Sequence, residues 1–199
     1  MAYYTGYVTI PHSTYDEFRA FTNGNGFNYD NHYGCQCYDL AVEFWWNVGF
    51  PMGYPLIASS SAYTMWSVYK DQNCVYNGTT YFRQITNLND VKRGDVIVYN
   101  YFSSNPYGHV GFADQDYDTW HSANPTSYEF PILSENNGGT PDPQGGAYTN
   151  VHGYDTRLFL GAFRYIPWEQ PVPPTPTIDI EHQFPWVLYA RTFRNKRKR

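Results

Sequence analysis

The apolar residues change their spacing part-way along this chain, and that change limits the fold more than any other feature. Over residues 39–48, Leu40, Phe44 and Val48 recur at four-residue steps, with Ala41 and Trp45 widening the stripe. This spacing predicts a helix, ended by Gly49 and Pro51. From about residue 80 the apolar residues come instead in short runs bounded by turn residues. Residues 95–99, 109–113, 128–133 and 158–166 read as strands. A weaker helix is expected over 61–69, a turn at Asn77-Gly78, and a Gly- and Pro-rich loop over 136–146. Residues 1–33 read as an irregular lead-in. Helices that come early and strands that come late predict an α+β domain, with the helices packed on an antiparallel sheet.

The chain has 199 residues, enough for one domain with a proper core and a short appendage. Aromatics make up 20 % and charged residues 16 %, so the chain is not of the disordered type. Its 21 tyrosines mostly suit the packing of a β-rich domain, and some suit a surface that meets a polymeric ligand. The prolines of 167–177 mark a stiff linker, and 178–199 is too short for a second core. Six of the thirteen basic residues lie in 191–199, which holds no acid. Residues 1–190 therefore carry seven basic against eighteen acidic residues, a balance of −11. An acidic body argues against a nucleic-acid groove, whereas the basic end suits an anionic polymer. No run is long and apolar enough to insert in a membrane. The first residues lack the pattern of a secretory signal, so synthesis in a cytoplasm is expected.

Cysteine chemistry is the next constraint. Three cysteines give no disulfide framework. Cys37 stands two residues before the predicted helix, where partial positive charge and free N–H groups favour a thiolate. His109 opens a distant strand. A thiol and an imidazole brought together make a nucleophile with its general base and acid. Gln36 offers an amide N–H to an oxyanion, beside the backbone N–H of Cys37. Cys35 is the rival thiol, further from the helix and without a Gln before it. Asn28, Asp30 and His32 alternate just before the thiol, and Asp39 follows it. Oxygen ligands two residues apart suit a hard cation, while a polar loop with Asp39 capping the helix is the other reading. A zinc site fits less well, since Cys35-x-Cys37 with His32 has no second ligand pair.

Three blocks together resemble the CHAP family of cysteine- and histidine-dependent amidohydrolases and peptidases. Gln36-Cys37-Tyr38-Asp39 is similar to its Q-C-x-D signature. Gly94-Asp95-Val96 and Gly108-His109-Val110-Gly111 are similar to its two strand motifs, and Glu135-Asn136 to its third block. The resemblance spans roughly residues 25–166 and implies a papain-like, NlpC/P60-like fold for a catalytic domain over 1–166. It implies that Cys37 is the nucleophile, His109 the base and acid, and Gln36 part of the oxyanion hole, with Asn136, beside Glu135, orienting the imidazole. It further implies a calcium loop of Asn28, Asp30 and Asp39 side chains with His32 and Gly34 carbonyls. The expected activity is that of a phage lysin, an endolysin or virion-associated hydrolase that cuts an amide of bacterial peptidoglycan. Release through a holin, or carriage in the virion, would deliver it to the wall. The opposing expectation is a non-catalytic wall-binding or virion structural protein on the same scaffold.

Overall fold

The computed structural model describes residues 1–51 and 61–169. These belong to one compact unit, Met1–Glu169. The rest of the expected linker and the basic end, residues 170–199, lie outside the described residues. The first elements are β1 (Tyr3–Thr5), α1 (Tyr15–Thr22), β2 (Gly26–Asn28), α2 (Cys37–Asn47) and α3 (Thr64–Ser67). Next come β3 (Val75–Tyr76), β4 (Thr79–Thr80), β5 (Phe82–Ile85), β6 (Val96–Tyr99) and β7 (His109–Ala113). The chain continues through α4 (Tyr117–Ala123), β8 (Glu129–Ser134), β9 (Asn150–Asp155), β10 (Phe159–Tyr165) and α5 (Ile166–Glu169).

The fold mixes helices with an antiparallel six-stranded sheet of order β5-β10-β6-β7-β8-β9. All residues of β6 and β7 are buried. That explains their unbroken apolar character, because a strand covered on both faces has no reason to alternate. One face, through Val96, Val98, Val110 and Phe112, packs under α1 and α2. The other, through Ile97, Tyr99, Ala113 and Ile132, packs with Tyr117 and Trp120 of α4.

The sheet also has to curl. Four strand spacings separate β9 from β10, about 19 Å across a flat sheet. Only Thr156–Leu158 joins them, and Asp155 to Phe159 spans at most about 14 Å even when extended. The short link therefore draws β9 over towards β10 and β6, and Asn100 N–H donates to Leu158 C=O at 2.7 Å. This curl carries Tyr154 of β9 onto Tyr99 of β6, with ring centroids 4.5 Å apart.

Several expectations need correction. The lead-in contains α1, which Thr14 caps by accepting the Glu17 N–H at 3.2 Å. It also contains β1 and β2, a short parallel pair. The expected 61–69 helix shortens to Thr64–Ser67. The Asn77-Gly78 turn stands as expected and joins β3 to β4, both residues at positive φ (48° and 77°), as a tight hairpin requires. Pro167, Trp168 and Glu169, assigned to the linker by composition, complete α5. The indole of Trp168 packs on Phe44 at 4.9 Å, Tyr165 at 5.4 Å and Tyr15 at 5.6 Å, and its Nε1–H donates to His12 C=O at 2.8 Å. Trp168 is half-buried, so Trp168→Ala should cost about 2 kcal/mol, less than a full core truncation. Urea unfolding of the full chain measures this, and an unchanged midpoint would mean the domain ends at Ile166.

Candidate active site

α2 packs directly on β7 and β2, and that contact places the first residue of the helix beside the first residues of the strand. Gln36 is the N-cap of α2, and its backbone N–H donates to Asp39 Oδ2 at 2.9 Å. Cys37 follows as the first helical residue, half-buried. The Val110 backbone N–H lies close enough to the sulfur to favour its anion. Cys37 and His109 both line a cleft of about 640 Å³, with Gln36, Asn136, Asn105 and several tyrosines around them.

The imidazole of His109 is nearly fully buried, and its Nε2 lies 3.0 Å from Ser134 Oγ. With the proton on Nε2, the hydroxyl accepts and Nδ1 keeps its lone pair for a proton from sulfur. Sequence reasoning expected Asn136 in the orienting role, with Glu135 beside it. Asn136 instead donates through Nδ2 to Gln36 Oε1 at 2.7 Å, and Gln36 Nε2 donates to Tyr33 C=O at 2.7 Å. Gln36 is thus pinned at both ends of its amide, with one N–H left over. Glu135 is buried on the far side of β8, where Oε1 accepts from Phe27 N–H at 2.6 Å and Thr149 Oγ1 at 3.2 Å. Ser134 is the last residue of β8, and Glu135, the first residue beyond it, turns its carboxylate to Phe27 and Thr149 and away from the imidazole. Ser134 is therefore the contact that sequence reasoning missed. Its residue type carries no signal, and the register of β8 against β7 is what brings it to the imidazole.

Both reactive groups are held neutral. Burial pushes the Cys37 thiol up to about 12, against the pull of Val110, and the charges of Asp39 and Glu135 push the same way. Burial brings His109 down to about 3, helped by His152. The rival Cys35 is completely buried and its thiol is raised further, chiefly by burial. Its backbone N–H donates to Asp142 Oδ2 at 2.6 Å, which fastens this loop to 136–147. A Cβ at Gly34 would stand 2.5 Å from Asp142 Oδ1, and φ there is +75°, so the position admits only glycine.

The residues expected to hold calcium are partly committed to one another. The buried Asn28 accepts the His32 N–H through Oδ1 and donates to Tyr3 Oη and Gln144 Oε1. Asp30 Oδ1 accepts the same His32 N–H at 2.8 Å. Asp30 and Asp39 each keep one carboxylate oxygen. Burial raises Asp39 to about 8, and the charges of Asp30, Glu43 and Asp142 add to this. A hard divalent cation would relieve that repulsion between the two aspartates, whereas the Asn28 amide is already engaged in its own hydrogen bonds. Among the described residues, no three His, Cys, Asp or Glu side chains gather closely enough for a metal.

No protein-family model and no curated protein matches the sequence. Among solved structures the fold is similar to that of the endolysin LysIME-EF1, with a TM-score of 0.53 and 19 % identity. The match covers 78 % of this chain and 65 % of that one, so this chain spans somewhat less than two thirds of its counterpart.

The neutral thiol predicts a pH signature. Alkylation of Cys37 by iodoacetamide, followed by mass spectrometry, should rise about tenfold per pH unit above pH 7. Cys35 and Cys74, both buried, should lag behind. A plateau in Cys37 reactivity below pH 7 would reveal a preformed thiolate–imidazolium pair instead.

Proposed function

We propose that this chain is a peptidoglycan hydrolase that cuts an amide bond by a thiol mechanism on a papain-like, CHAP-type scaffold. The observation that carries this reading is the shared cleft of Cys37 and His109, in a fold similar to that of a protein named as an endolysin. Cys37 Sγ attacks the amide carbon while its proton passes to His109 Nδ1. The carbonyl electrons move to oxygen, where the Cys37 backbone N–H and the remaining Gln36 amide N–H can receive them. Collapse expels the amine, which takes the proton back from His109. Water, deprotonated by His109, then cleaves the thioester and frees the acid and the thiol. Because sulfur and imidazole start neutral, proton transfer accompanies attack. Asn136 serves the oxyanion side by fixing Gln36, and Ser134 serves the imidazole.

The bond is either the muramoyl–alanine amide or one in the peptide bridge, and mass spectrometry of released fragments would name it through the new termini. The basic run of 191–199 would hold the enzyme to anionic wall polymers. The same protonation states also favour a second reading, a wall-binding or virion structural protein with an idle thiol. Purified protein on Gram-positive walls separates the two. The wild-type chain should clear them and Cys37→Ser should lose at least about 100-fold of the rate. Equal clearing by both would remove the nucleophile, and tight sedimentation without clearing would favour the binder.

Calcium, held by the Asp30 and Asp39 carboxylates and nearby carbonyls, would neutralise charge beside the thiol and take no step in the reaction. Calorimetric titration should show calcium heat and a raised melting temperature, both reduced in Asp30→Asn. No heat and no thermal shift would remove the metal from this account.

A further inference from the structure

The imidazole has a second neighbour that the proposed mechanism leaves unused. The ring of Tyr154 lies on His109 with centroids 4.4 Å apart and planes only 10° from parallel. Tyr154 is not among the residues that line the cleft. Its own ring is braced by Tyr99, completely buried and directly opposite His109 in the β6–β7 register.

The geometry leaves this ring a task that Ser134 cannot perform. The torsion about the imidazole's Cβ–Cγ bond is broad, with no sharp staggered wells. Nε2 lies near the line of that bond, so a hydrogen bond at Nε2 anchors the tip of the ring while leaving its plane free to turn. Turning the plane swings Nδ1, the atom that must meet the thiol proton. A flat aromatic neighbour removes that freedom, because any turn drives one edge of the imidazole into the tyrosine ring. The curl of the sheet makes the contact, since β9 and β7 are not neighbours and Tyr154 pairs in register with Phe130.

We propose that Tyr154 is a positioning residue whose ring, laid flat on the imidazole, fixes the plane in which His109 exchanges a proton with Cys37. The inference rests on the thiol-hydrolase reading above, but it has a readout of its own. On soluble wall fragments, Tyr154→Leu should lower kcat by roughly 10- to 100-fold and leave KM within about twofold. Tyr154→Phe keeps the ring and should stay within about threefold of the wild type. In NMR titrations, removing the ring opens one imidazole face to water. The His109 midpoint in Tyr154→Leu should then climb towards the ordinary value of about 6.5.

A folded Tyr154→Leu protein with unchanged kcat and unchanged His109 titration would overturn the inference. Should that variant not fold, the wild-type chain decides. Its His109 and Tyr154 ring protons should show mutual nuclear Overhauser effects and an upfield imidazole shift, and their absence would equally overturn it. If the wild-type chain releases no wall fragments, the hydrolase reading fails while the titration still decides whether Tyr154 holds the ring.

Discussion

The packing of α2 on β7 is the contact on which everything else in this domain depends. Phe44 meets Phe112 with centroids 5.2 Å apart, and Phe18 of α1 lies 4.6 Å from the same Phe112. Aromatic contacts of this kind are individually modest, but together they set the height and rotation of the helix over the sheet. Leu40 and Phe44 face the sheet, so Cys37, near one turn earlier on the same side, must come down beside Val110. Cleft, thiol and imidazole follow from that single docking event.

A cost comes with this arrangement. A helix start that presses its first residue against a buried strand removes water from the thiol and the imidazole together. Burial favours the neutral form of each, raising one and lowering the other. The partial positive charge at the start of α2 and the Val110 N–H oppose this without overcoming it, and Asp39, Glu43 and Glu135 form no ion pair among the described residues. Burial raises all three of those carboxyls. At rest, therefore, both the thiol and the imidazole are favoured in their neutral forms, and under the proposed mechanism proton transfer would have to accompany attack.

Sequence reading worked where one local pattern had one physical cause. The four-residue steps of Leu40, Phe44 and Val48 had no other plausible source, and α2 runs from Cys37 to Asn47. The run at 109–113 is β7 in full. It failed where the cause was distant. α1 carries only a partial apolar stripe, with Tyr15, Phe18 and Thr22 buried, and lies in a stretch crowded with glycine and asparagine. α4 falls between the expected strands 109–113 and 128–133, where no element was expected, and its Tyr117 and Trp120 make sense only against the second face of the sheet. Trp168 read as linker because of the prolines beside it, although its ring closes the first core.

The amino-acid sequence alone determined that a thiol would stand at a helix start and an imidazole at a strand start, because capping residues, apolar spacing and turn residues act within a few positions of one another. Tertiary structure alone decided which groups attend them. Ser134 reaches His109 through strand register, Asn136 turns to Gln36 through a left-handed backbone at φ 51°, and Tyr154 arrives through the curl forced by a three-residue link. Those partners are set by closure of the whole sheet, and no local stretch of residues encodes that.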